Sequence, residues 1–436
     1  MRKEKPNMNY QDNHLHSDMK MTNTILFVSE KASNNTQYID NNHVDDSDKS
    51  VNTQENRPEI GKTIKRQQQQ CRPSLHVLFL KTHKTGSSTI TNILNRFAVT
   101  RNLTMLLPRQ KESYNFQWPN KFRLSAAAAT FARPNILANH ARYSRDTMGR
   151  VFPRPSSRYV TILRNPVPQF ESSFEYFSFA YMLKINSKRN ALQYFLDHPP
   201  THAEIASIAR KYPSLNLIRN PLFYDLGLDY RDYDNKTVVE NAINTINHDF
   251  DLVLLMEHFD ESLTLLRRRL CWDIDDVIYF KLNERLSKNK PTKPMSNDTV
   301  SKIQQWNSAD MGLYAFFKRK FWQEIKKEGP GFYDDVEALR KRRRYYAGIC
   351  IEDEAIEQAY SQVYVKGYKM RTNLAADMKE RCELMLKNEI KFLNYFKKQY
   401  SEYWNHQSEA SHIENFQDVL PLATATNEIP DEIGAV

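Results

Sequence analysis

Glycine is scarce in this chain, with 10 residues among 436. Gly86 is the only glycine between Gly61 and Gly149. That scarcity excludes two nucleotide loops. A Walker A loop opens on a glycine and places lysine directly after a second one; a dinucleotide loop needs the G-x-G-x-x-G run. Cysteine is scarce too: the 4 residues are Cys71, Cys271, Cys350 and Cys382, none at zinc-site spacing. Their even number permits disulfides and does not decide the compartment. No His, Asp or Glu cluster has metal-ligand spacing, so no metal is expected. Long apolar runs are also missing from the first 72 residues. Nothing there approaches the roughly 18 apolar residues of a membrane span. The longest apolar patch, Thr24 to Val28, is too short even for a signal-peptide core. There is no internal repeat.

Residues 1–72 are rich in Asn, Asp, Lys and Gln, with a glutamine run from Gln67 to Gln70. Such a composition buries too little apolar surface to fold, so a disordered segment is expected. Residues 73–405 carry the apolar periodicity of one folded domain, and 406–436 read as a loose polar tail. Hydrophobic residues make up 40% of the chain, enough for a sizeable core. The net charge of +10 suits a polyanionic small-molecule partner. The run Arg340-Lys341-Arg342-Arg343-Arg344 follows Val336-Glu337-Ala338-Leu339, and reads as a solvated helix face rather than a nucleic-acid site. Sequons at Asn34, Asn102, Asn235 and Asn297 permit glycosylation in a lumen. Strand signals at 75–80, 135–139, 158–163 and 251–256 alternate with helical segments, which argues for an α/β fold with a central parallel sheet flanked by helices. Residues 300–400 read as mostly helical.

The most informative stretch runs from Lys81 to Thr89, K-T-H-K-T-G-S-S-T. The apolar run from Leu75 to Leu80 precedes it, and Ile90, Ile93, Leu94 and Phe97 follow at helical spacing. That is strand, tight loop and helix. The loop places two lysines, one glycine and five hydroxyl residues at a helix N-terminus. Unpaired N–H groups and the positive end of the helix dipole make that place an anion site. A second motif follows the strand Arg158–Leu163: Arg164 at the strand end, Pro166 two residues on, and Ser172 eight residues on. Arginine bonds phosphate oxygens as a fork, and serine adds a hydroxyl.

The loop resembles the 5′-phosphosulfate loop of sulfotransferases that use PAPS (3′-phosphoadenosine 5′-phosphosulfate). Arg164, Pro166 and Ser172 match the family's 3′-phosphate motif, with Asn165 where aspartate is usual. The segments Asn139-His140-Ala141-Arg142, Phe170 to Phe174, Leu252 to Leu263, Leu270 to Arg285, and Trp306-Asn307 narrow the resemblance to the galactose-3-O-sulfotransferases, and within them to the glycolipid-sulfating type. The resemblance implies a PAPS-sulfotransferase-type, P-loop-like fold. It implies sulfuryl transfer from PAPS to the 3-hydroxyl of a terminal β-galactose on a glycolipid or glycan. It also implies the lumenal side of the Golgi membrane and an N-terminal signal anchor. Since no anchor is visible here, an apolar exon upstream of Met1 is expected.

Carried onto this sequence, the family's donor residues are Lys81, Lys84, Thr85, Gly86, Ser87, Ser88, Thr89, Arg164 and Ser172. Lys84 would neutralise charge growing on the bridging oxygen. The reaction also needs a base, and histidine suits neutral pH. His140 ends the apolar strand Ile136-Leu137-Ala138 and is the favoured candidate; His83, inside the loop, is its rival. Glu171 and Arg142 are the candidate acceptor contacts. The alternatives are transfer to another glycan hydroxyl, a P-loop kinase, or an inactive nucleotide-binding module. Against the kinase, no lysine follows Gly86 and no strand ends in a Walker B aspartate.

Overall fold

The computed structural model describes residues 71–410, apart from 111–112, 131, 187–189, 282–293 and 359–363. The expected disorder of residues 1–70, the sequon at Asn34 and the tail beyond 410 lie outside the described residues.

Four strands form one parallel sheet: β1 (Val77–Leu80), β2 (Ile136–Leu137), β3 (Arg158–Leu163) and β4 (Leu252–Leu255). Their order across the sheet is β2-β1-β3-β4. All four residues of β1 are buried, as expected for a strand covered by helices on both faces. Val77 pairs with Ile136 on one side and Arg158 on the other, and Val160 pairs with Leu252. Each strand signal in the sequence marks a real strand. Because the strands are parallel, their C-terminal ends share one edge.

The helices that shape that edge are α1 (Ser87–Thr100), α2 (Pro166–Tyr176), α3 (Pro221–Asp225), α4 (Phe259–Leu270), α5 (Asn297–Trp306), α6 (Ser308–Lys327), α7 (Phe332–Cys350), α8 (Ala376–Leu386) and α9 (Glu389–Ala410). Helix α1 starts at Gly86 and buries Ile90, Ile93, Leu94 and Phe97 against the sheet. Each such burial contributes about 1.5–3 kcal/mol. Helix α2 starts after Asn165, whose side chain accepts from the Val167 N–H at 3.0 Å, the cap that the departure from aspartate still allows. Phe170 and Phe174 turn into a second apolar cluster with Phe179, Phe195 and Ile303.

Residues 300–400 are mostly helical, as the sequence reads. An antiparallel hairpin, β5 (Ile351–Gln358) and β6 (Tyr364–Met370), interrupts them. Its strands hold charged residues that suit a helix equally well. Pairing across the hairpin, including Glu352 with Lys369 at 2.7 Å, decides the matter, and a linear pattern does not reveal that pairing. The basic run does lie on a helix, α7, but its face is not simply solvated. Arg340 pairs with Asp260 and Glu261, Arg343 with Asp260, and Arg342 with Asp275. Helix α9 runs to Ala410. All four cysteines form disulfides, Cys71–Cys271 and Cys350–Cys382.

Candidate active site

The chain leaves β1 toward β2 on one side and β3 toward β4 on the other, so the crevice between the ends of β1 and β3 is the switch point of the sheet. Both anion motifs open there. Lys84 and Gly86 take left-handed backbone, with φ of 60° and 75°. Glycine adopts that conformation freely; for lysine it costs roughly 1–2 kcal/mol. The loop holds itself in this shape. Thr85 Oγ1 and Ser87 Oγ donate to the Thr82 carbonyl at 3.1 and 2.7 Å, and Thr82 Oγ1 lies 2.9 Å from Thr85 Oγ1. These three hydroxyls are buried, so they hold the loop's shape from within.

Arg164 reaches across the crevice. Its Nη1 donates to the Lys84 carbonyl at 3.1 Å, so the two motifs are physically joined. The Lys84 ammonium sits 3.4 Å from the centroid of the Tyr176 ring, at the end of α2. That is a cation–π contact at the mouth of the loop. Glu171 and Ser172 lie half-buried on α2, above the buried Ser173. Gln169 Nε2 ties this helix to the loop by donating to the His83 carbonyl at 3.0 Å and to Ser173 Oγ at 3.2 Å.

The two histidines meet at this edge. Their rings stack with centroids 4.0 Å apart and planes 12° from parallel. Their surroundings differ. His83 Nδ1 lies 2.8 Å from Asp225 Oδ2, and its backbone N–H donates to the same oxygen at 2.7 Å. A carboxylate only accepts, so Nδ1 carries a proton, and in the neutral ring the lone pair is then on Nε2. Trp118 Nε1 donates to Asp225 Oδ1 at 3.2 Å, and the Trp118 ring stands 5.0 Å from that of His83. His140, by contrast, has a buried Nδ1 with no hydrogen-bond partner. Burial first, then the neighbouring His83 and Lys81, holds the His140 pKa well below the usual imidazole range. His140 is therefore a neutral ring.

The galactose-3-O-sulfotransferase family model matches residues 9–400 of this chain. This chain belongs to the galactose-3-O-sulfotransferase family. It is a sulfotransferase. Mouse galactosylceramide sulfotransferase is 34% identical over 344 residues, which cover 74% of this chain and 78% of the mouse protein. Human galactose-3-O-sulfotransferase 3 is 33% identical over 337 residues, covering 73% of this chain and 76% of the human one. Human galactose-3-O-sulfotransferase 2 is 33% identical over 339 residues, covering 74% and 82%.

In this galactose sulfotransferase, two of the expected site residues also make contacts within the fold. The Arg142 guanidinium is buried and committed to the fold. Its Nε donates to the Tyr224 carbonyl at 2.8 Å, and its Nη2 to the Leu228 carbonyl at 2.8 Å and to Asp229 at 2.9 Å. It steadies the end of α3. Lys81 is 2% exposed; its ammonium pairs with Glu389, the first residue of α9, and lies 3.4 Å from Ser88 Oγ. The C-terminal helix thereby buttresses this sulfotransferase's anion loop. Sequence reasoning missed Asp225, Trp118 and Tyr176. Asp225 lies 142 residues from His83, and nothing in its local pattern marks it. No group of three or more His, Cys, Asp or Glu residues suited to a metal occurs among the described residues.

Proposed function

We propose that this galactose sulfotransferase takes its sulfuryl group from PAPS and transfers it to the 3-hydroxyl of a terminal β-galactose on a glycolipid such as galactosylceramide. The observation that carries the mechanism is the bond between Asp225 and His83 Nδ1. It leaves Nε2 as a proton acceptor in the crevice where both anion motifs open. His83 is therefore the base in this reading. Asp225 holds the ring and stabilises the imidazolium that forms. His140 is the neutral neighbour that packs the face of His83.

Two features of the crevice fit the donor. The cradle of N–H groups at the start of α1, with Lys84 beside it, suits the phosphosulfate end. Arg164, with Ser172 on the next helix, suits the 3′-phosphate. His83 Nε2 accepts the proton of the galactose 3-hydroxyl as its oxygen bonds to sulfur. The bond from sulfur to the bridging oxygen breaks, and 3′,5′-ADP leaves with that electron pair. Lys84 moves from Tyr176 to neutralise the bridging oxygen.

A lumenal Golgi site is part of the same reading. Both disulfides and the exposed sequon asparagines Asn102, Asn235 and Asn297 suit an oxidising lumen. Among the described residues no helix is long and apolar enough to cross a membrane. Incubation with labelled PAPS against galactosylceramide, lactosylceramide and free β-galactosides tests the reading. Label is expected on galactosylceramide. Transfer only to free galactosides or glycoprotein galactose would move the acceptor class and leave the donor assignment standing. No transfer to any galactoside would overturn the proposal.

A further inference from the structure

Helix α3 is five residues long, Pro221–Asp225, too short to be stable alone. Its last residue is Asp225, the partner of His83. Its first turn is held by a buried reciprocal clasp from the start of α6. Asp310 Oδ2 and Oδ1 accept from the N–H groups of Leu222 and Phe223, each at 2.9 Å. Asn307 Oδ1 accepts from the Asn220 N–H at 2.8 Å, and Asn220 Oδ1 accepts from the Asp310 N–H at 3.0 Å. On the flank, Trp306 Nε1 donates to the Ile218 carbonyl at 2.6 Å, and Arg219 Nε donates to the Trp306 carbonyl at 3.1 Å.

This clasp is a costly way to hold a loop. Asn220, Asn307 and Asp310 are each 0% exposed, and Asn220 Nδ2 has no partner at all. Burial pushes the Asp310 carboxyl up to about 8, against the pull of the two N–H donors. Asn220 also sits in left-handed backbone, at φ 46°. Such strain and buried polarity persist where the surroundings require one geometry. The required geometry is one turn away. At about 1.5 Å of rise per residue, the clasped end of α3 lies roughly 5 Å from Asp225. A shift at Asp310 therefore moves the carboxylate that sets the His83 tautomer.

We infer that Asp310, with Asn307 and Asn220, is a positioning residue for sulfuryl transfer. The clasp fixes α3 so that Asp225 holds His83 with its proton on Nδ1. This rests on the reading of His83 as the base. Asp310 touches neither donor nor acceptor in this scheme and acts through Asp225.

The test uses the full chain with Asp310→Asn, read above pH 8, where the wild-type carboxyl is ionised and both its oxygens accept. The amide keeps one acceptor but turns an N–H against the other backbone N–H. Four quantities are read: thermal unfolding, 3′,5′-ADP affinity, kcat, and the ¹⁵N imidazole shifts of His83 assigned against His83→Gln. The expected result is a folded protein whose 3′,5′-ADP affinity stays within about twofold while kcat falls roughly 10- to 100-fold. The His83 signal should change from Nδ1–H to a mixture of tautomers. Should Asp310→Asn not fold, Asn307→Ala leaves both Asp310 bonds in place, removes the bond to the Asn220 N–H and the Nδ2 bond to the Ile303 carbonyl, and gives the same readouts in milder form. A folded variant with wild-type kcat and an unchanged tautomer would overturn the inference. The two readings separate through the dyad itself. If His83→Ala keeps its turnover, the base assignment fails and this inference fails with it. If His83→Ala and Asp225→Ala both lose turnover but folded Asp310→Asn does not, only the positioning role is wrong.

Discussion

His83 and His140 stack with ring centroids 4.0 Å apart, yet only His83 is bound to a carboxylate, Asp225, at 2.8 Å. Two like side chains in one crevice thus have unlike chemistry. One is held to a carboxylate through Nδ1; the other is half-buried and neutral, with a buried Nδ1 that has no hydrogen bond.

The first prediction follows from that difference. His83→Ala should lower kcat by about 10²- to 10⁴-fold with little change in 3′,5′-ADP affinity. Asp225→Asn should also lower kcat steeply, because an amide can donate to Nδ1 and reverse the tautomer. His140→Ala should weaken turnover less than either. Side-by-side kinetics decide. Wild-type turnover in His83→Ala together with loss in His140→Ala would hand the base role to His140.

The second concerns stability against pH. His140 has a folded-state pKa below its unfolded value, because burial disfavours the charged ring. Below about pH 6.5 the unfolded chain takes up a proton that the folded chain refuses. The contribution is therefore fully present above that pH and is lost as pH falls below it. Unfolding free energies measured from about pH 7.5 to 5 should drop more steeply for the wild type than for His140→Gln. Parallel curves would show that His140 does not titrate this way.

The third concerns the second anion motif. Arg164 joins the loop through the Lys84 carbonyl at 3.1 Å and lies at the end of β3. Arg164→Ala should weaken 3′,5′-ADP binding by roughly 1.5–3 kcal/mol, the range of a hydrogen bond to a charged group. It should leave 5′-ADP binding nearly unchanged, since that nucleotide lacks the 3′-phosphate. Titration calorimetry with both nucleotides checks it, and equal losses for the two would remove the 3′-phosphate role.

The fourth concerns Lys81 and Glu389, whose side chains are 3% and 28% exposed. Glu389→Gln strands a buried ammonium in the loop. Breaking a buried pair costs about 3–5 kcal/mol, and the partial exposure of Glu389 puts the expectation near the lower end. Lys81→Met with Glu389→Leu removes both charges and should recover most of that loss. Denaturant unfolding of the three proteins gives the answer; a double variant no more stable than Glu389→Gln would contradict it.

Much of the crevice at the sheet edge was legible in the sequence for a local reason. Strand, loop and helix are contiguous there, and the hydroxyls, lysines and Gly86 needed by the loop fall within nine residues. Arg164, Asn165 and Pro166 likewise carry their strand end and helix start in one short run. Parallel pairing then brings those two runs to the same edge, which a pattern of alternating strands and helices foretells. Family motifs reached further than periodicity, since they marked Trp306 and Asn307 without giving a reason for them.

Tertiary structure alone decided which histidine is oriented. The sequence placed His140 at the end of β2 and His83 in the loop, and both positions are as read. It held no sign of Asp225, because the carboxylate arrives from a five-residue helix 142 residues away. Separations of 88 and 308 residues likewise hid the Asp310 clasp on that helix and the docking of Glu389 on Lys81. Nor does the local pattern around Arg142 show that its guanidinium lies on the Tyr224 and Leu228 carbonyls. Local sequence determines what the backbone can do next to itself. The ionisation, tautomer and availability of a side chain depend on what the fold brings against it.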